Sequence, residues 1–247
     1  MQWLGWDSQL AIFTATEETG LNNTSSCEAW QLRISKLPEG MRVREPQMPG
    51  GLHIFWDGNN ILGGGERAAR EQGEPGYPRL RIYFQNLLDL VRSGRHPVEA
   101  WMSGNIPPPE DEVWDHASRL GINLSLSRRT ADGREGLLDQ VLREKMLAAD
   151  FDYPERGTIA LLTGDGAGIE REEGFYANLK RLRARGWEVE LFSWGSQVHR
   201  GMRDWATANG KFVSLDRFYV YITFLNPEPA AGSPGRVVRP LGPPPYF

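Results

Sequence analysis

Six short apolar runs mark the middle of the chain, at residues 52–57 (LHIFWD), 98–102, 122–126, 158–162 (TIALL), 187–192 and 212–215. Each is four to six residues long and closes on polar or turn-forming residues, the signature of strands rather than helices. Between them the spacing changes. Leu80, Tyr83, Phe84, Leu87, Leu88 and Val91 recur at helical intervals, and so do Leu137, Leu138, Val141, Leu142 and Met146. A third helix is predicted from Pro108, Pro109, Glu110 and Asp111 to Leu120, since proline and acids suit a helix amino terminus. A fourth runs over 175–185 and stops at Gly186. Strands alternating with helices predict an α/β fold: a central, mainly parallel sheet covered on both faces.

The ends read differently. Residues 1–50 are irregular, with Trp3, Trp6 and Trp30 and a Pro/Gly-punctuated exit, and are read as an arm or small subdomain. Residues 226–247 hold seven prolines and three glycines in 22 positions, which predicts a flexible tail or an extended peptide ligand. The folded domain is therefore expected over 51–225. A hydrophobic share of 40% in 247 residues supports a sizeable core. The single cysteine, Cys27, leaves no internal disulfide and no cysteine-based zinc site, and points to a reducing compartment. No apolar run approaches the roughly 18 residues of a membrane helix, and the first residues lack a basic leader pattern. The expectation is an intracellular protein, cytoplasmic or nuclear, with no membrane partner. Its net charge of −4 argues against coating nucleic acid by bulk charge.

In a parallel sheet, sites form beyond the carboxyl ends of the strands. Two segments stand there: Asp57-Gly58-Asn59-Asn60 after the first strand and Thr163-Gly164-Asp165-Gly166 after the fourth. Glu135 and Asp139 lie four apart at the start of the helix that carries Leu137 to Met146, on one helical face. Such carboxylates suit a hard divalent cation, Mg²⁺ or Mn²⁺, and with it hydrolysis of a phosphodiester; Asn60 would hold the water or orient Asp57. The same segments also serve as ordinary turns, and acids complement a helix dipole, a role that fits Glu135 at least as well.

HIFWDGNNILGGG resembles the first motif of the NYN domains, the PIN-like ribonucleases, matching Asp57 and Asn60. EGLLDQVLREKM is similar to their second motif and assigns Asp139; TIALLTGDGAG is similar to the third and assigns Thr163 and Asp165. The later GKFVSLDRF offers Asp216 as a further acid. Over residues 51–225 the resemblance implies a PIN-like, Rossmannoid three-layer fold and a metal-dependent endoribonuclease acting on single-stranded RNA. Asp57, Asn60, Asp139 and Asp165 would be catalytic. Asp57, Asp139 and Asp165, joined by Glu135 and Asp216, would hold the metal. One departure stands out: where the family carries a further acid after the third motif, this chain has Ala167 and Gly168, followed by Glu170, Glu172 and Glu173.

Charge divides along the chain. Residues 107–173 hold 15 acids against 8 bases, whereas 176–217 hold 8 bases against 4 acids. Arg128, Arg129 and Arg134, on the loop after the third strand, are the expected phosphate contacts, with Thr163 beside them, because guanidinium matches phosphate geometry. Trp194 and His199 follow the fifth strand, where an aromatic can stack a base, although packing is the commoner fate. Targeting would fall to a protein partner engaged through the arm or the tail. The alternative is a catalytically weak or inactive NYN-like module that binds RNA or scaffolds proteins. A phosphatase or nucleotide-binding reading is weaker, because the Gly63-Gly64-Gly65 run lacks a phosphate-loop or dinucleotide pattern and reads as flexible loop.

Overall fold

A computed structural model describes residues 49–105, 113–127, 136–164, 166–167, 169–171, 173–226 and 239–243. The expected arm, most of the tail, and Arg128, Arg129, Arg134, Glu135 and Asp165 lie outside these residues. The six predicted strands are present as β1 (Leu52–Asp57), β3 (Pro97–Asn105), β4 (Asn123–Ser127), β5 (Thr158–Leu162), β6 (Glu188–Ser193) and β7 (Lys211–Ser214). They form one six-stranded sheet in the order β4-β3-β1-β5-β6-β7, and every neighbouring pair is parallel. The chain is thus α/β, and the apolar runs are explained: β1 and β5 sit at the centre and are buried along their whole length.

Period-two alternation divides β1 between two cores. Leu52, Ile54 and Trp56 face one side; there they meet helices α1 (Gly58–Glu71), α2 (Phe84–Arg92) and α3 (Val113–Arg119). Phe55 faces the other, with Leu142, Met146 and Ala149 of α4 (Gly136–Asp152). On that same side lie Phe175, Leu179 and Leu182 of α5 (Gly174–Ala184), and Met202 and Ala206 of α6 (Arg200–Asn209). Three layers result. The order of strand addition switches between β1 and β5, because β3 and β4 extend the sheet one way and β5, β6 and β7 the other.

Three features depart from the expected pattern. The Gly63-Gly64-Gly65 run is not a loop but the middle of α1. Its glycines are needed for close approach: a Cβ at Gly64 would lie 2.3 Å from Trp194 Cδ1 and one at Gly65 3.2 Å from the same indole. The helix predicted over 80–91 begins only at Phe84, since Leu80–Ile82 is a short strand, β2, paired antiparallel to β8 (Thr223–Leu225). That ribbon sits on the α1 side, next to the four-residue helix α7 (Tyr219–Ile222). Part of the proline-rich tail docks there. Arg239 bridges to Leu225, donates to the carbonyl and hydroxyl of Thr223, pairs with Glu74, and lies 4.9 Å over the Tyr219 ring.

Candidate active site

Beyond the carboxyl ends of β1 and β5, two turn sequences are stitched together. Asp57 ends β1 and caps α1: its Oδ1 accepts the Asn60 backbone N–H at 3.0 Å, satisfying one amide that a helix start leaves without a partner. Its Oδ2 accepts the Thr163 hydroxyl at 3.0 Å, across from β5. The Asn60 side chain completes the link, because its Oδ1 accepts the Gly164 N–H at 2.6 Å. Asp57 is 5% exposed and Thr163 fully buried, so these bonds hold a partly dry seam between the two strands. Gly164 must be small here: a Cβ would stand 2.9 Å from Ser193 Oγ and 3.2 Å from Asn60 Oδ1.

The seam coincides with the switch in strand order between β1 and β5, where open α/β sheets offer a crevice. Asp139 lies in the first turn of α4, half-buried; this helix packs across β1, β3 and β4 on its way to β5. Asn59 ties the same edge to β3, accepting the Asn105 N–H at 3.2 Å. Asp216 is elsewhere. It sits exposed in a 3-10 turn after β7, where it accepts the Gly195 N–H at 2.7 Å and the Ser214 hydroxyl. In the sheet order β7 is three strands from β1, so Asp216 organises the β6–β7 turns and not the seam.

Two residues of the crevice carried no sequence signal. Ser193, at the end of β6, is fully buried and its hydroxyl has no hydrogen-bond partner among the described residues; Gln197 Oε1 is likewise buried without one among them, and the Gln197 side chain spans from Gly164 to Gly64. Of the two aromatic candidates, Trp194 resolves as scaffold. Trp194 is fully buried, donates its indole N–H to Ile61 O at 2.8 Å and fills the notch over Gly64 and Gly65. His199 is exposed and caps α6, its Nδ1 accepting the Gly201 N–H at 3.1 Å. Glu170 and Glu173 are exposed. The basic stretch is divided by ion pairs: Arg183 with Glu188, Arg185 with Asp150, and Arg200 and Arg203 with Asp204.

The Mg²⁺ or Mn²⁺ that the resemblance implies asks for hard oxygen donors. Asp57 and Asp139 carry carboxylate oxygens of that kind. The donor chemistry fits. Among the described residues no three His, Cys, Asp or Glu side chains gather as a metal-holding group; Asp165 and Glu135, two members of the expected set, lie outside them.

No protein-family model matches the chain, and no curated protein matches it in sequence. Its structure is similar to the crystal structure of a protein of unknown function from Vibrio parahaemolyticus, with a TM-score of 0.50 and 16% identity over 68% of this chain and 96% of that one. At that identity the likeness carries the fold alone. No helix among the described residues is long and apolar enough to cross a membrane.

Proposed function

We propose that this chain is a metal-dependent endoribonuclease of the PIN-like class, acting on single-stranded RNA at the β1/β5 crevice. One observation carries the reading. Asp57 with Asn60, and Thr163 with Gly164, two segments 106 positions apart from Asp57 to Thr163, are joined by hydrogen bonds at the point where the strand order switches. Asp57 and Asp139, with Asp165 next along the chain from Gly164, would hold Mg²⁺ or Mn²⁺. Such an ion lowers the pKa of a bound water and neutralises charge on the leaving oxygen. The chain's own residues preorganise the site: Thr163 fixes the rotation of the Asp57 carboxylate, and Asn60 holds the Gly164 amide just past β5. Arg128, Arg129 and Arg134 are the proposed phosphate contacts. RNA and a protein partner are likewise proposed.

A second reading is favoured by a specific observation. Both oxygens of Asp57 already serve the scaffold, as a helix cap and as acceptor for Thr163, and Ala167 stands where the resembled family carries an acid. A fold that keeps these bonds without turnover would bind RNA or protein as a scaffold. The two readings separate on end-labelled single-stranded RNA incubated with Mn²⁺, Mg²⁺ or EDTA, with Asp165→Asn purified in parallel. The nuclease reading predicts fragments that require metal and vanish in the variant. Binding of RNA without metal-dependent fragments would replace it with the scaffold.

A further inference from the structure

Past β8 the chain returns to the β2–β8 ribbon at residues 239–243 and inserts Arg239 into a clamp with three walls. Glu74, in the turn after α1, pairs with its Nε. On β8, the Thr223 carbonyl accepts from Nη1 at 2.8 Å and the Thr223 hydroxyl accepts from Nη2 at 2.9 Å. The Tyr219 ring of α7 lies against the guanidinium, 4.9 Å away. All three guanidinium nitrogens are engaged in one plane, an arrangement an ammonium cannot reproduce.

The walls are tied to one another by bonds that do not involve the arginine. Tyr219 donates its hydroxyl to Glu74, Thr223 donates its own to Tyr219 O at 2.6 Å, and the Glu74 N–H donates to Ala69 O at 2.9 Å. The clamp is therefore preorganised for its guest. Emptied of Arg239, it would present a carboxylate with only 15% of its side chain exposed, which is costly without a cation against it.

The backbone of the guest pairs as an added strand does. Arg239 bridges antiparallel to Leu225, whose N–H donates to Arg239 O at 3.2 Å, and the Gly242 N–H donates to Val220 O at 2.6 Å. Pro240 favours the extended backbone at Arg239 that this pairing needs. Gly242 leaves no room for a side chain, because a Cβ there would lie 2.7 Å from Val220 Cγ2 and 3.0 Å from Val220 Cβ. Side-chain pockets combined with main-chain bonds to a strand edge are how sheets take up extended peptides. We propose that the Glu74–Tyr219–Thr223 clamp and the adjoining edge of β8 are a docking site for an extended peptide of a partner protein. The peptide carries arginine followed by proline, with glycine three positions after the arginine. Residues 239–242 of this chain are its resident ligand. Arg239 follows Leu225 by 14 positions, and a ligand on so short a tether has an effective concentration on the order of millimolar. A partner segment that binds more tightly than the tail displaces it. The site shares no residue with the β1/β5 crevice.

The test uses the ¹⁵N-labelled full chain and an unlabelled peptide of residues 237–243 (VVRPLGP). In the chain alone the Arg239 Nε–H should exchange slowly with solvent. Saturating peptide should release it and accelerate that exchange about tenfold or more, the factor for a hydrogen bond to a charged group. The Leu225 amide should stay protected, because the peptide's carbonyl replaces that of Arg239. Lysine in place of the peptide's arginine should raise the concentration needed about tenfold, for want of the planar fork. Alanine there, or leucine in place of the glycine, should leave the exchange unchanged. Arg239→Ala in the full chain should bind dye-labelled peptide about tenfold more tightly than the wild type, since the tethered competitor is gone. Arg239 exchange that ignores millimolar peptide overturns the proposal, and so does equal release by the alanine peptide. Peptide that splits a wild-type dimer into monomers in sedimentation would assign the site to the tail of a second copy and overturn it too. These wild-type outcomes decide the question even if the variant does not fold.

Discussion

Thr163→Val removes a single hydrogen-bond donor from the seam and leaves the side chain's shape. In the wild type the hydroxyl meets Asp57 Oδ2 at 3.0 Å, with Thr163 fully buried and Asp57 nearly so. A hydrogen bond to a charged acceptor contributes about 1.5–3 kcal/mol. The added methyl recovers up to about 0.8 kcal/mol of transfer free energy. The net cost is about 1.5 kcal/mol, which in a protein of this size lowers Tm by roughly 3–6 °C. Urea and thermal unfolding followed by circular dichroism would measure it, with Thr163→Ser keeping the donor and losing only a buried methyl. The decisive quantity is the coupling: in an Asp57→Ala background, where the acceptor is gone, Thr163→Val should cost close to nothing. Equal costs in the two backgrounds would refute the claim that this bond ties β5 to the Asp57 carboxylate.

Two further predictions concern packing and pH. Within α1, Gly64→Ala should destabilise the fold: its Cβ would lie 2.1 Å from Gln197 Oε1 and 2.3 Å from Trp194 Cδ1, and overpacking at about 1–3 kcal/mol exceeds the gain of up to about 1 kcal/mol in helix propensity. Gly63→Ala, with nothing within 4 Å of the added atom, should stabilise it, so shifts of the same sign in chemical denaturation would contradict the assigned packing. On the acid side, Glu99 and Asp150 are both held below the usual carboxylate range. Burial opposes this at Asp150, but hydrogen bonds from Trp187 and Arg185 and the charges of Arg156 and Arg185 outweigh it. Groups depressed in the fold stabilise it fully above their unfolded values and cease to do so as pH falls through the folded ones. Stability should therefore drop from about pH 4 downward, and Asp150→Asn should flatten that drop; an unchanged slope in the variant would argue against the Asp150 cluster as its source.

The central sheet was legible because burial on both faces leaves a strand little choice but a continuous apolar run, as in LHIFWD and TIALL. The carboxyl-edge position of Asp57 and Thr163 followed from the α/β rhythm. Other elements were hidden where tertiary contacts override local preference. Four glycines and two asparagines argue against a helix over residues 58–71, yet α1 forms because Asp57 caps it and Trp194 and Gln197 need the notch its glycines open. The strand β2 was read as the first turn of a helix, since Leu80, Tyr83 and Phe84 also satisfy helical spacing and its partner β8 lies more than 140 positions away. α6 is too polar to announce itself; only Met202 and Ala206 are buried from its ten residues. At the site, Ser193 and Gln197 reach the crevice through the fold alone, and Asp216 shares an acid's chemistry with Asp57 without sharing its place.

The most direct measurement is where a divalent cation binds. Mn²⁺ added to the ¹⁵N-labelled full chain broadens the amides nearest to it. Binding at the β1/β5 crevice predicts selective loss of the Asn60 and Gly164 signals, reversed by EDTA and abolished in Asp57→Asn, whose side-chain oxygen still caps α1. Broadening that leaves Asn60 and Gly164 untouched, or that persists unchanged in Asp57→Asn, would contradict a metal-dependent site at this crevice.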